Sequence, residues 1–460
     1  MSLSSSLSIA LRSMLADQGG MDVVSNNIAN ANTPGYSREV ADFAETPPAE
    51  YGNLSYGTGV TLSDIQGVRD SVLQMRLNQE TQNQGKLNVE SNGLNQIQAL
   101  FNDSSGTGLQ SLLSQFFNGF QQLASDPTNA GLRQSVIGDA QSLATGFQQT
   151  AGALATQQHG ADQSVVQTVG QINQITSQIA TLNGQISDAT GSGQNANAFV
   201  DQRSQLINQL SQFVDVQSIT ADEGSLTLTT NGGTALVVGN QSFNLQTQMS
   251  GSAGFHDVYA QGQDITSSIQ SGSLAGYLQI RDQEIPSILN KLDTLANGVA
   301  TAVNQQNESG VDLNGHKGGN IFSPLATVAG SALNLNVAIT DPNLIAASAD
   351  GTPGNGDNAT ALANLQTENI VDNQNPIDYY SGIVFQVGND ASTASSQLSG
   401  EQLLVQQLQD QVNSVSGVSI NEEAANLILY QNAYNAAARV ASVVAGLFQT
   451  AIDMVSASTS

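Results

Sequence analysis

Stepping from Leu3 by alternating four and three residues lands on Leu3, Leu7, Ala10, Met14, Asp17, Met21, Val24 and Ile28, all apolar except Asp17. Apolar positions that recur every 3.5 residues form the seam of a coiled coil, where side chains of one helix insert between those of another. The same walk from Ile420 passes Ala424, Leu427, Gln431, Tyr434, Ala438, Ala441, Ala445, Phe448, Ile452 and Val455, with Gln431 the single polar step. A third seam runs through Val165, Thr168, Ile172, Ile175, Ile179, Leu182, Ile186 and Ala189, and shorter ones cover 285–303 and 405–415. One stripe of this kind is ordinarily the core-facing side of a single helix, and that reading suffices for the three internal seams. The terminal seams differ, because each is closed on its inner side by a break, Pro34-Gly35 or Gly417. They are predicted to pair with one another or with neighbouring chains. Burial along one such seam falls short of the ordering entropy of the residues that carry it, so the ends are predicted to order only when other subunits surround them.

Between the helices the period changes to two. Ser225-Leu-Thr-Leu-Thr-Thr230 and Thr234-Ala-Leu-Val-Val238 flank Asn231-Gly-Gly, a strong hairpin signal. A second hairpin is predicted between Glu39 and Leu62, and Leu333-Asn-Leu-Asn-Val-Ala-Ile339 reads as a strand in a loop-rich region that also holds the turn-rich 350–356. The fold class predicted is mainly α with an inserted β domain. Terminal helices 1–36 and 418–460 form a coiled coil. A helical middle domain takes 37–215, 272–310 and 385–417, and an outer β-rich domain takes 216–271 and 311–384.

Composition narrows the function. Of 460 residues, 38 are acidic and 11 basic, a net charge of −27, yet charged residues are only 11 % of the chain. Uncharged polar groups replace them: 51 Gln, 42 Asn, 51 Ser and 31 Thr. With three lysines (Lys86, Lys291, Lys317) and a pI near 4.1 there is no basic surface to displace phosphate counterions, which excludes nucleic acid as a partner. The absence of Cys excludes disulfides and thiol chemistry. No membrane span is expected, since the most apolar stretch, Val440 to Phe448, is interrupted by Ser442 and Gly446. A cleaved leader is not expected either, because the N-terminus has no basic region and Arg12 interrupts any apolar run.

Candidate chemistry is thin. His159, His256 and His316 lie in three separate segments, so no pair has metal-ligand spacing and no metal or cofactor is expected. His256-Asp257 are chain neighbours, whose side chains point apart, and they read as solvated loop residues. Glu422-Glu423 sit in the first turn of the last helix, where they complement its dipole. Gly315-His-Lys-Gly-Gly319 lacks the spacing of a phosphate loop, and Asn53-Leu-Ser55 is a chance match in an Asn-rich chain. The chain is therefore expected not to be an enzyme.

The stretch Ser25-Asn-Asn-Ile-Ala-Asn-Ala-Asn-Thr-Pro-Gly-Tyr-Ser-Arg38 is more specific than any heptad. It resembles the N-terminal signature of the flagellar axial proteins, the rod, hook and hook-associated family. Thr33-Pro34 stops the helix and Gly35 permits the turn that follows. Rod and hook proteins usually continue Pro-Gly-Phe, whereas Pro-Gly-Tyr-Ser-Arg is the form typical of members at the hook–filament junction. The segment 417–439 is similar to the family's closing helix, and Gly272-Ser-Leu-Ala-Gly-Tyr-Leu-Gln-Ile-Arg-Asp282 with Val303-Asn-Gln-Gln-Asn307 and Gly310-Val-Asp-Leu-Asn-Gly315 to its central helical region.

The resemblance implies a structural adapter in the extracellular flagellum. It implies export unfolded through the type III channel, an export chaperone at the C-terminal segment, self-association in a helical assembly, and the hook protein and hook-associated protein 3 as neighbours. The residues expected to carry subunit assembly are Leu3, Leu7, Met14, Met21, Val24, Ile28, Asn32, Pro34, Gly35 and Tyr36, with Ile420, Leu427, Tyr434, Phe448 and Ile452. Two rival readings remain: a hook or distal rod protein, and an axial protein displaying an enzymatic or glycan-binding β domain.

Overall fold

The computed structural model describes residues 2–51, 54–102, 106, 108–220, 226–250 and 254–457. Helix α1 (Leu3–Asn30) opens at Ser2, whose hydroxyl accepts from the Ser5 amide, and ends where Thr33-Pro34 forbids another turn. Strand β1 (Glu39–Glu45) then pairs antiparallel with β4 (Val60–Gly67), with a register shift at Asp42/Phe43. Between them β2 (Ala49–Tyr51) and β3 (Leu54–Tyr56) form a second antiparallel pair. The hairpin expected after the first helix is thus present; Asn53 lies outside the described residues.

Four helices follow. They are α2 (Ser71–Leu100, capped by Asp70), α3 (Leu109–Ser125), α4 (Ala130–Gly191, capped by Asn129) and α5 (Asn197–Ser211). At 62 residues α4 is about 93 Å long, and the third seam lies on it with Val165, Ile172, Ile175, Ile179, Leu182 and Ile186 all buried.

Two small antiparallel sheets come next. In the first, β5 (Gln217–Thr220), β6 (Leu226–Thr229), β7 (Ala235–Val238) and β8 (Gln241–Ser242) lie in chain order. In the second, β9 (Leu245–Ser250), β10 (Phe255–Ala260) and β11 (Gln263–Asp264) lie likewise. The hairpin around Asn231-Gly-Gly is β6–β7, with Thr227 opposite Val238; Ser225 lies outside the described residues. Helix α6 (Gly272–Gln279) runs through a π-helical segment (Ile280–Glu284) into α7 (Ile285–Ser309). The short helices α8 (Ser331–Asn334) and α9 (Asp357–Asn364) precede the long α10 (Pro376–Ser416) and α11 (Ile420–Ala457).

The buried apolar residues form two clusters. One gathers Phe116, Phe117 and Phe120 of α3, Phe147 of α4, Leu292 and Val299 of α7 and Tyr380 of α10 around Phe322. The rings of Phe116 and Phe322 sit 5.5 Å apart. The other joins the later half of α4 to Leu210, Leu228, Val237, Val258 and Leu274. α4 is the spine of both. The segments 216–271 and 311–384, grouped together on sequence, belong to different clusters: Leu228 and Val258 to the second, Phe322, Leu335, Ile345 and Leu362 to the first.

The expected strand 333–339 is also absent as a strand. Its first residues close α8, because the Asp293 carboxylate accepts from the Gly330 and Ala332 amides at 2.8 Å and fixes a helical turn there. Only an isolated bridge, Phe322 with Val337, remains of β pairing in that stretch.

Candidate assembly site

Helices α1 and α11 lie side by side and antiparallel. Asn27 Nδ2 donates to the buried Glu423 Oε2 at 3.1 Å, and seven residues earlier Gly20 faces the Tyr430 ring, where an added Cβ would fall 2.9 Å from ring carbons. Tyr430 in turn lies 6.1 Å from Phe43 of β1. The second face of α1 carries the β1–β4 hairpin: Gly59 sits on Ile9, and Gly19 on Leu62.

The seam of α11 keeps the expected spacing and the expected positions Leu427, Tyr434, Ala441 and Phe448, but the positions between them shift by one residue. Glu423, Leu427, Tyr430, Tyr434, Ala437, Ala441, Val444 and Phe448 are buried or half-buried, whereas Gln431 and Ala445 face outward. Tyr430 replaces Gln431 because the notch at Gly20 admits its ring. On α1, Val24 is buried and Leu3, Leu7, Met14, Met21 and Ile28 are half-buried. Asp17 holds a buried carboxyl oxygen with no partner, and burial pushes its acid up despite the opposing Ser13 bond.

Two of the assembly residues expected on α11 stay largely uncovered within the chain. Ile420 and Ile452 are 55 % and 59 % exposed. Ile452 overhangs, because the register of Asn27 with Glu423 and Gly20 with Tyr430 brings the start of α1 opposite about residue 447. Ile428, Leu429, Val440, Val443, Leu447, Met454 and Val455 are exposed as well, so α11 is apolar on both sides and covered on one. Within residues 376–455 an 18-residue window reaches a mean hydropathy of 1.3 and is 6 % buried. Length and hydropathy alone would let this stretch cross a bilayer, which the sequence reading did not expect.

The signature residues Asn32, Pro34 and Gly35 are exposed, and Tyr36 is half-buried. They belong to a polar joint between the terminal pair and the rest of the chain. The Tyr36 hydroxyl donates to Asn27 Oδ1 (2.9 Å), and Asn27 Nδ2 also donates to the Glu39 carbonyl (2.8 Å). Burial, then the charges of Glu39, Asp201 and Glu423, push the Tyr36 phenol up from its ordinary value. Next, Asp201 of α5 accepts from the Ser37 amide (2.9 Å) and hydroxyl (2.7 Å) and, in a fork, from Arg69 Nε (2.9 Å) and Nη2 (2.7 Å). The Arg38 amide donates to the Ser416 carbonyl at 2.8 Å, tying the two chain crossings together, and its guanidinium meets Glu422 at 3.3 Å. The adjacent glutamates thus act as bridges as well as dipole partners. Asn27, Ser37 and Arg38 lay inside the motif; Asp201 and Arg69 had no signal of their own.

His316 is exposed, and the His159 ring lies 5.2 Å from that of Phe255, tilted at 59°. His256 is not a loop residue: on β10, its Nδ1 lies 2.7 Å from Asp162 Oδ2. Asp162 also accepts from the His256 amide and from Arg281 Nη1, both at 2.7 Å. Burial alone would raise the Asp162 acid, but these bonds hold it below its ordinary value. Arg281, buried in the π-helical segment, is completed by Asp282 at 2.7 Å. This node of ion pairs fastens β10 to α4 where the two apolar clusters meet, and its strong donors and acceptors face one another. Among the described residues no three His, Asp or Glu side chains converge as a metal would need.

A discontinuous fold with paired chain ends and the signature at its joint defines a class, the flagellar rod, hook and hook-associated axial proteins. Three family models match: a flagellar basal body rod protein model over 7–36, the flagellar hook-associated protein FlgK helical domain over 94–322, and the flagellar basal body rod FlgEFG protein C-terminal model over 409–454. Flagellar hook-associated protein 1 of Bacillus subtilis is 29 % identical over 95 % of both chains. That of Salmonella typhimurium is 27 % identical over 98 % of this chain and all of its own. The flagellar hook junction protein FlgK from Burkholderia pseudomallei shares the fold, with a TM-score of 0.67 and 18 % identity, over 74 % of this chain and 100 % of that one. Over nearly its whole length the chain is thus similar to flagellar hook-associated protein 1, and it is a structural component of the flagellum at the hook–filament junction.

Proposed function

We propose that this chain joins the hook to the filament as an adapter that stacks in a helical assembly through its terminal helix pair. The observation that carries this reading is α11, a helix apolar on two sides and covered on one. A helix that is apolar all round is ordinarily buried, and copies of the same chain can bury it. On this reading 1–36 with 418–460 form the inner layer, and Leu3, Leu7, Met14, Met21, Val24 and Ile28 pack with Leu427, Tyr434 and Phe448 inside the subunit. Ile420, Ile452 and the outward face of α11 meet neighbours. The middle part and the two small sheets lie further out. Contacts of this kind are heterologous, so they propagate instead of closing into a dimer.

The partners are further copies, the hook protein on one side and hook-associated protein 3 on the other. The chain reaches the extracellular flagellum unfolded, with an export chaperone covering the same apolar C-terminal segment. Its role is structural, not catalytic, and the amide-rich, lysine-poor surface suits stacking with few ionic pairs to fix a wrong register.

The test places a charge on the outward face. V443D and L447D, introduced into the chromosomal copy, are expected to let hooks form while filaments detach, and the variant protein is assayed in the medium so that loss of stacking is told apart from loss of export. Normal filament attachment by cells whose flagella contain either variant would refute the reading.

A further inference from the structure

The β2–β3 pair is a poorly supported element. Among the described residues it is a two-stranded sheet with no further strand on either edge, and Leu54 on it is 61 % exposed. Isolated two-stranded hairpins are at best marginally stable in water, and open strand edges invite pairing with another chain. Its place along α1 is set by the longer ladder beneath it. That ladder starts beside Asn27, which donates to the Glu39 carbonyl, and has climbed to Ile9 by Gly59. The β2–β3 pair therefore lies at the free end of the terminal helices.

At the other end of α1 lies a cleft of about 1190 Å³, between the signature loop, the start of α2, α5 and the end of α10. Side-chain amides dominate its wall, among them Gln74, Asn78, Gln205, Asn208, Gln209 and Gln409, with Met75 exposed beside them. Gln74 and Asn208 already donate to Asn78, Gln205 to the Pro34 carbonyl and Gln409 to Asn413, but an amide carries two donor hydrogens and an acceptor oxygen with two lone pairs, so the wall keeps capacity to match an unpaired strand edge. Of the charged residues lining it, Arg69 and Asp201 pair with each other, Asp70 caps α2 and Arg203 donates to Asn183. The hairpin is nearly neutral too, with Glu50 its single charge between Ala49 and Tyr56.

Ile9 and Asn30 are 21 residues apart on one helix, about 32 Å at 1.5 Å per residue. A subunit cannot fill its own cleft with its own hairpin, but a second copy displaced along the α1 axis can. Resting on the proposed helical stacking, we infer that this cleft receives the β2–β3 hairpin of a second copy, with Leu54 against Met75 and the strand edge on the amide wall. Hairpin and cleft are different surfaces, so the contact is head-to-tail and repeats along the assembly.

The chain has no cysteine, so cross-linking is clean. L54C combined with Q209C, oxidised in intact flagella and run without reductant, is expected to give dimers and higher ladders. Each single variant, and L54C with the exposed but distant Q241C, should give none. Flagella that contain the double variant yet show no ladder, or ladder equally with the control pair, overturn the inference. Independently, L54D should leave the melting temperature of the purified chain unchanged and reduce attached filaments at least tenfold; unchanged attachment overturns the inference as well. Absence of the unmodified chain from flagella refutes the stacking reading itself.

Discussion

Replacing Asp201 by alanine tests whether the signature loop is held by the joint described above. Asp201 is buried and accepts four hydrogen bonds, two from Ser37 and two from the Arg69 guanidinium. Hydrogen bonds to a charged group are worth about 1.5–3 kcal/mol each, and a buried donor left unmatched costs about 1–3 kcal/mol. Arg69 keeps a quarter of its side chain in water, so its share is partly recovered by hydration. The Ser37 amide and hydroxyl have no such route. We expect the loop to lose about 2–4 kcal/mol of local stability, which is about 30- to 1000-fold in opening equilibrium at 1.4 kcal/mol per tenfold. A chain with two apolar clusters need not unfold in one step, so a single melting curve is the wrong assay. Native-state hydrogen exchange read by mass spectrometry resolves the region. Peptides covering 31–45 should exchange faster in D201A by that factor, while peptides of α3 in the first cluster stay unchanged. D201N, which keeps the shape and one acceptor, should fall between. Exchange of 31–45 within threefold of wild type would refute the assignment of the joint.

Gly20→Leu puts side-chain atoms where the Tyr430 ring lies, and overpacking of about 1–3 kcal/mol should raise exchange throughout the first half of α11; unchanged exchange there would mean that the two helices do not meet at this notch. Glu401 on α10 is pushed up to about 7, first by burial and then by the hydrogen bond and charge of Glu80 on α2. The folded state therefore holds a proton that the unfolded state releases, stability falls as pH rises from 4.5 towards 7, and E401Q should be more stable than wild type at pH 8 but indistinguishable at pH 4 in urea titrations followed by circular dichroism. Asp162 shifts the other way: its contribution is fully present above the ordinary aspartate value and is lost as pH falls through the lower folded value. D162N should cost about 1–3 kcal/mol at pH 7, because the buried Arg281 Nη1 and the His256 amide lose their charged acceptor while Asp282 still pairs with the guanidinium, and the deficit relative to wild type should shrink in acid; a pH-independent deficit would count against the ion-pair account.

Spacing was legible in the sequence and phase only in part, for a reason visible at particular residues. A heptad is a property of one helix, so the seams on α1, α4 and α11 could be read from their own residues. Which of two adjacent residues turns inward depends on the partner: Tyr430 wins over Gln431 because α1 offers Gly20 opposite it. In the same way, Leu333 to Ile339 looks like a strand until Asp293, 40 residues before Leu333, caps α8. Asp201 was invisible because it serves Ser37 from 164 residues away. The acidic excess has no structural explanation here, since the buried acids Asp162, Asp201 and Glu423 bond to specific partners and account for few of the 38. Tyr36 joins the two kinds of information. The sequence marks it as a departure from the Pro-Gly-Phe of rod and hook relatives, and the structure supplies the consequence, a hydroxyl on Asn27 Oδ1 at 2.9 Å. Tyr36→Phe keeps the half-buried ring and deletes one bond of about 1 kcal/mol, leaving Asn27 to hold Glu39 and Glu423 alone. If that bond sets the angle at which the terminal pair leaves the middle of the chain, Y36F should weaken filament attachment with little change in exchange at 31–45. Attachment equal to wild type would reduce the tyrosine to a family marker without a mechanical role.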